Sequence, residues 1–386
     1  MHTLNTLRTK VAALHSLIKD DTFSKHRRNI LLLFFLFLAT SLHAQEKEYY
    51  FFHPYTYGSD GLFNPISLIE IGGFDSYQII DREPTWQNTD WNIAAANVWR
   101  SLISPLPVIS AFGWKRFMQQ EILPSSLNVN EAQWVPNIML HTIGGGMDYR
   151  KISEWYNYYN VPVPYLCGIL TCVAYEFINE TVENGPQTSP NEDCIPDVLI
   201  FQPLGFILFS FDGASEFFSS TLQMNDWSEQ TGLSFAPFAI RNAGQNFVMK
   251  LALNQDRSTN LFFHFGEFAI FGLSLKTNSE YAVSFGGGVA STGVKDLPTI
   301  NGVPENTVTS GPMAGIYYDR NNSLLASVVY SDNQNTRFRL NLYPGMLSSY
   351  EYCPGVFLTI AANGSTIAGV TMQILPVGLC SFSPHQ

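Results

Sequence analysis

Charge is what this chain has least of. Lys, Arg, Asp and Glu make up only 14% of its 386 residues, against roughly 25% in an average soluble domain. A water-exposed surface on a chain of this length normally carries more Lys and Glu, so ordinary soluble folds fit the composition poorly. Long apolar runs are missing too. Beyond the N-terminal region no stretch gives the ~18 uninterrupted apolar residues of a spanning helix, so spanning helices are not the obvious explanation of the composition. An excess of positive charge is absent: the formal net charge is −11 with no basic stripe, which argues against nucleic acid as a partner. Catalytic signatures are lacking as well. There is no Gly-x-Ser-x-Gly elbow, no His-Glu-x-x-His pair and no phosphate-binding loop, so no reaction class stands out and neither a metal nor a cofactor is named by motif. The run Gly286 to Gly288 falls in a strand pattern and is no phosphate cradle. Cysteine is sparse and odd in number: Cys167, Cys172, Cys194, Cys353 and Cys380. Cys167 and Cys172 have neither a second pair nor a nearby His, so zinc is a weak reading and small apolar packing residues a better one.

What the chain does have is aromatic residues, 14% of the total, with 29 Phe and 18 Tyr. Rich in aromatics, poor in charge and without long apolar runs is the compositional shape of a membrane β-barrel. Near the N-terminus Lys25, His26, Arg27 and Arg28 precede an apolar run from Ile30 to Ala39, and then Thr40 to Ala44. That is the layout of a secretory signal with cleavage after Ala44. Residues 1–44 are therefore expected to be leader and signal, with 1–24 an unusual extension ahead of it. No Cys follows the cleavage point, which disfavours a lipid-anchored lipoprotein.

Residues 45–90, rich in Tyr, Phe, Gly, Asp and Pro, read as an extended loop-rich segment with a strand near Leu68 to Gly72. Residues 91–226 read as helical, with helices over Asn92–Ser104, Leu106–Gln120, Asn137–Tyr159, Tyr165–Glu183 and Ile195–Leu222. Trp114, Lys115 and Arg116 suggest a membrane-interface position. Gly144, Gly145 and Gly146 each cost a helix ~1 kcal/mol relative to Ala; they predict another helix packed very close.

From Leu233 the period switches to two, and 231–382 reads as strands. Tyr281, Val283, Phe285 and Val289 alternate with Ala282, Ser284, Gly286, Gly288 and Ala290. Phe338, Leu340 and Leu342 alternate with Arg337, Arg339 and Asn341, and Phe247, Met249, Leu251 and Leu253 with Val248, Lys250 and Ala252. Turn residues separate about eight to ten such segments of roughly barrel length. The expected fold is α+β: a helical segment followed by an antiparallel up-and-down β-barrel of the outer-membrane type, large side chains toward lipid and small ones filling the lumen. A soluble β-sandwich is the competing reading, and it fits the low charge less well.

Six polar residues stand in the apolar helices: His141, Asp148, Glu176, Asn179, Glu180 and Asp197. Glu176 and Glu180 share a helix face. Such groups are costly in apolar surroundings unless paired. A His facing two carboxylates suits divalent-metal binding or acid–base chemistry; equally, the six residues suit plain tethering of helices. The order Asn137-x-x-x-His141-x-x-Gly144-Gly145-x-x-Asp148-Tyr149, then Tyr175-Glu176-Phe177 with Asn179-Glu180, then Ile195-Pro196-Asp197 and Pro203-Leu204-Gly205, resembles an uncharacterised bacterial envelope family (domain of unknown function 3943) over about residues 90–225. Where that family has Pro after the His, this chain has Thr142; Tyr175-Glu176-Phe177 stands for its Trp-Glu-Tyr. The resemblance implies an envelope protein with helices feeding a β-rich part, and no activity.

The expected function is therefore a structural or interaction role in the outer membrane of a Gram-negative cell. The helices would serve as a periplasmic-side platform or plug, and lipid or lipopolysaccharide would be the partner. The alternative is a membrane-embedded lipid- or lipopolysaccharide-directed hydrolase using His141 with Glu176 or Glu180. A narrow channel fits less well, because the small inner-face residues leave little lumen.

Overall fold

A computed structural model of the chain describes residues 49–78, 89–123, 137–184, 192–300, 303–348, 353–375 and 377–385. The expected leader and signal lie outside the described residues. Tyr49–Gln386 forms one compact unit with an α+β architecture, helices first and a large sheet after them.

The strand expected at Leu68 to Gly72 is instead part of helix α1, Pro65–Gly73. The reason lies just upstream. The Asn64 side chain accepts from the Ile66 and Ser67 amides while the Ser67 hydroxyl accepts from the Asn64 amide, a reciprocal cap, and Pro65 is pre-set for the first helical position. Helices α2 (Trp91–Ile103), α3 (Pro105–Phe112) and α4 (Trp114–Phe117) follow close to expectation. Next come α5 (Gly145–Tyr158) and α6 (Pro164–Asn184). The long helix expected over Ile195–Leu222 is broken into α7 (Cys194–Pro196), α8 (Gln202–Phe209) and α9 (Asp212–Glu216). Among the described residues no single helix is long and apolar enough to cross a membrane; the two halves Cys194–Phe209 and Asp212–Thr221 pass that test only together, bent by 88°.

Four stretches wind as wider π-helical turns: Met118–Ile122, Asn137–Gly144, Asp197–Phe201 and Phe217–Thr221. The triple glycine does what its cost predicted. A Cβ on Gly146 would lie 2.9 Å from the Gly205 carbonyl oxygen, and one on Gly205 would lie 3.0 Å from the Gly146 nitrogen. So α5 and α8 approach backbone to backbone. Gly144 meets a strand instead, receiving the Phe247 ring.

The sheet has 13 strands in the order β1-β4-β5-β6-β7-β8-β9-β10-β11-β12-β13-β2-β3, and every pairing is antiparallel except β13 with β2. As a ladder it is open, with β1 (Asn225–Asp226) and β3 (Phe238–Arg241) at its ends. This corrects the expected count of eight to ten strands and the purely up-and-down order. Leu233–Arg241 is a hairpin, β2 (Gly232–Phe235) and β3, turned at Ala236–Pro237. Leu261–Lys276 is likewise two strands, β5 (Thr259–Phe265) and β6 (Phe268–Lys276). The segment Ile367–Val377 stops at Thr371, where β12 (Thr366–Thr371) ends, and β13 (Gly378–Ser383) begins afresh. The remaining strands are β4 (Phe247–Ala252), β7 (Tyr281–Ile300), β8 (Val303–Arg320), β9 (Ser323–Ser331), β10 (Phe338–Leu342) and β11 (Gly355–Ile360). Strands β7 and β8 overrun their neighbours: β6 pairs with β7 only up to Ala290 and β9 with β8 only from Met313, so the two run on together toward residues 300 and 303.

The two faces of the sheet differ as the alternation predicted, and in the expected sense, large side chains outward. One face presents large apolar side chains outward, including Leu261, Phe271, Phe285, Val289, Ile316 and Val328, with Phe271 63% and Ile316 58% exposed. The opposite face buries polar and charged groups: Asn260, Ser274, Ser284, Ser327, Asn341 and Thr359. Lys250 sits there 2.7 Å from Asp319, and Arg339 2.9 Å from Glu229. Trp227, Phe262 and Tyr317 supply the apolar part of that interior. The helices pack on the sheet through Phe74 and Val182 against Ile240 and Ala243, and through Lys151. This fully buried ammonium, 2.6 Å from Asp60 and 3.7 Å from Asp226, ties α5 to the start of the sheet.

Candidate functional site

Four of the six polar residues singled out in the helices come together. His141, in the π-helical turn Asn137–Gly144, places Nδ1 2.8 Å from Glu176 Oε1 on α6 and Nε2 3.7 Å from Asp197 Oδ2. Glu180, one turn along α6, is 1% exposed and lies in the electrostatic reach of Asp197, Asp193, Glu183 and Glu176. Gln202, at the start of α8, fixes Glu176 by donating to its Oε2 at 3.3 Å and to the Cys172 carbonyl at 3.2 Å. Thr142 donates to the Phe201 carbonyl at 3.0 Å and thereby pins the His141 turn against the Asp197–Phe201 turn. Both turns are π-helical, a winding that recurs at functional positions.

The other two residues go elsewhere. The Asn179 amide oxygen accepts from the Ser76 backbone N–H at 3.2 Å and so ties α6 to the segment after α1. Asp148 is buried and accepts from the Gln245 amide, in a separate group that includes Lys151, Asp226 and Asp75. Neither faces the His141 cluster in its contacts.

Sequence reasoning missed Glu183, Asp193 and Glu267. One carboxylate oxygen from each of Glu180, Glu183 and Asp193 lies within 4.8 Å of the others. Glu267, in the β5–β6 turn, bears on His141 and Asp193. The signal for two of them was present: Glu176, Glu180 and Glu183 follow i, i+4, i+7 on one face of α6, and Asp193 stands four before Asp197. Glu267 had none, because only the fold brings that turn here.

Electrostatically the cluster is lopsided. Burial works against a charged imidazole, but Asp197 and Glu176 outweigh it and hold His141 up near about 10. Burial first, and neighbouring carboxylates second, push Glu180 and Glu183 well above the usual carboxylate range. Burial also raises Asp193, with His141 and Glu183 pulling against it. Glu267 is pushed up to about 7 for the same first reason. The arrangement can hold protons or a cation. It is poorly suited to start a reaction as a base, since a His that keeps its proton until about pH 10 has no free lone pair at neutral pH.

Against known proteins, no family model, no curated protein and no solved structure matches this chain.

Proposed function

We propose that the chain is an outer-membrane β-barrel protein with a structural or interaction role, its helices forming a layer packed on the barrel. The observation that carries this is the inversion of the sheet, apolar side chains exposed on one face and charged pairs buried on the other. In water that surface is unfavourable at ~25 cal/mol per Å² of apolar area; against lipid tails it is the expected one. The export-type N-terminus, the charge-poor composition and the resemblance to an envelope family point the same way.

Closure of the sheet is supported by its seam. Asn225↔Val248 and Asp226↔Phe247 join β1 to β4, and Gly232↔Arg241 to Phe235↔Phe238 join β2 to β3, all in one unbroken register. Glu229 donates to the Gly244 carbonyl at 2.8 Å between them. So β1 and β2 read as one strand of a long hairpin, and β3 and β4 as the other. The first edge of that hairpin pairs with β13 and the second with β5, the two pairings that closure of the ladder requires. The helices pack on this hairpin through Phe74 and Val182 against Ile240 and Ala243, which favours a platform over a plug.

A lipid-directed hydrolase built on His141 and Glu176 is the weaker reading, because the 2.8 Å ion pair holds His141 in the wrong protonation state for a base. The test is fractionation of the envelope of producing cells, followed by gel electrophoresis with and without boiling. The expected outcome is an outer-membrane band whose mobility shifts on boiling. A protein released in soluble form with no shift would overturn the barrel and the membrane together.

A further inference from the structure

Resting on the barrel reading, we infer that the helical layer enters the bilayer beside the barrel, one face of α6 and α8 lying against phospholipid acyl chains. Three observations converge on it. The first is where the helices sit. Leu251 and Leu253 are exposed on the outward apolar face of the sheet; Phe247 alternates with them yet is fully buried. Gly144 covers it, for a Cβ added there would run into the Phe247 ring. Phe265 on β5, its ring centroid 5.5 Å from that of Phe247, is buried too, while Leu261 on the same side of β5 is exposed. Just before β4, Gln245 donates to Asp148 on α5. The helices therefore lean on the outward wall, the side that meets lipid in the barrel reading.

The second is what the helices show to their surroundings. Among the described residues of 164–184 and 192–211 every exposed side chain is apolar: Leu170, Val173, Leu199, Leu204, Ile207 and Phe211. Leu204, Ile207 and Phe211 follow i, i+3, i+7 on one helix face, and Leu170 and Val173 are three apart on α6. Gln202 donates to the Cys172 carbonyl at 3.2 Å, which sets the start of α8 beside Val173. A face turned to water carries Lys and Glu, and a face that docks a protein keeps a polar rim. Here neither is exposed. Nor is there an exposed cation among these residues to meet the phosphates of a lipopolysaccharide, which leaves phospholipid chains as the partner.

The third is the broken helix itself. Cys194–Phe209 and Asp212–Thr221 are long and apolar enough for a membrane only together, and they meet at 88°. At ~1.5 Å per residue the first half rises about 24 Å, short of a hydrocarbon core of ~30 Å. It enters and turns; it does not cross. The break keeps its polar groups satisfied, as irregular backbone at membrane depth must. The Ser210 hydroxyl donates to the Phe206 carbonyl at 2.6 Å and the Ser215 hydroxyl to the Phe209 carbonyl at 3.0 Å. Asp212 accepts from Arg150 at 2.9 Å, and Glu216 beyond it is exposed, so the chain regains the polar headgroups past the bend.

The experiment places the photoreactive residue p-benzoylphenylalanine at Leu204, Ile207, Ile316 or Asp256 of the full chain in producing cells. After irradiation the adducts in the envelope are read by mass and by gel. All four side chains are exposed, so the substitutions leave the packed interior alone and the variants are expected to fold. The expected result is a mass gain of one phospholipid at Leu204 and Ile207, as at Ile316 on the sheet, and none at Asp256 in the β4–β5 turn. Lipid at Ile316 with none at Leu204 and Ile207 overturns the inference and leaves the barrel reading standing. So does a crosslink from the two helical positions to another protein, to a second copy of the chain or to lipopolysaccharide. Phospholipid at Leu204 and Ile207 but not at Ile316 supports helix insertion and sinks the lipid-facing sheet. No lipid at any position overturns both.

Discussion

Among single residues, Lys151 shows most clearly what burial does to a charge. Its ammonium is fully buried, 2.6 Å from Asp60, 3.7 Å from Asp226 and 3.3 Å from the Asn225 amide oxygen. It also lies 4.5 Å above the Phe63 ring. Removing one partner of a buried pair leaves the other uncompensated, at about 3–5 kcal/mol. Lys151→Met is therefore expected to lower stability by that order in a denaturant titration, and Lys151→Met/Asp60→Asn to recover much of the loss. Equal stability of the single variant and the native chain would show that the pair contributes nothing. The glycines give a second contrast. Ala in place of Gly146 gains ~1 kcal/mol of helix propensity but sets its Cβ 2.9 Å from the Gly205 carbonyl, and overpacking costs about 1–3 kcal/mol. Gly146→Ala should destabilise. Gly213→Ala, where nothing lies within 4 Å of the added Cβ, should be neutral or gain up to about 1 kcal/mol; thermal melts of the two variants decide.

At the level of elements, the strand faces were readable because a period of two reports directly on side. That Phe285 and Ser284 lie on opposite faces follows from alternation alone, and that Phe285 is the outward one follows from the barrel reading. Helix α1 was misread because apolar content around Leu68 outweighed a cap that was plainly written in Asn64, Pro65 and Ser67. The π-helical turns carrying His141 and Asp197 have no sequence signature, so the approach of these residues was open to suspicion and not to derivation. Glu183 and Asp193 were legible as helix-face partners of residues already chosen, whereas Glu267 belongs to a turn that only tertiary structure delivers. The helical elements also carry a pH dependence. His141 is held up near about 10 by its carboxylates, Glu70 on α1 is pushed up to about 8 by burial, and Glu180 and Glu183 are raised by burial. In each case the folded chain binds protons that the unfolded chain has released. Stability therefore falls as pH rises from about 5 toward about 10. EDTA-treated protein should melt at a lower temperature at pH 9 than at pH 6; a higher one would contradict the direction of these shifts.

For the whole molecule the sheet's inversion sets the energetics. Ile316 projects from the part of β8 that pairs with β9, Met313–Arg320, on the exposed apolar face. In lipid, Ile316→Lys is expected to cost about 2–4 kcal/mol if it lies near the bilayer centre, read as a shift of the urea unfolding midpoint in vesicles. On a water-facing surface the same change would be nearly neutral, so a null effect in vesicles speaks against membrane embedding of that face.

The overrunning hairpin of β7 and β8 has a practical consequence. Past Ser291 and Ser310 it continues for nine residues of β7 and seven of β8 without sheet neighbours among the described residues, and at ~3.4 Å per residue that is a mast of roughly 25–30 Å. Ser291 donates to the Glu267 carbonyl, so the mast rises from the same rim as the turn that faces His141. A short epitope grafted at its tip and probed on unbroken cells thus works as a compass. Labelling from outside would set the acidic cluster toward the medium, and labelling only after the envelope is breached would set it toward the periplasm.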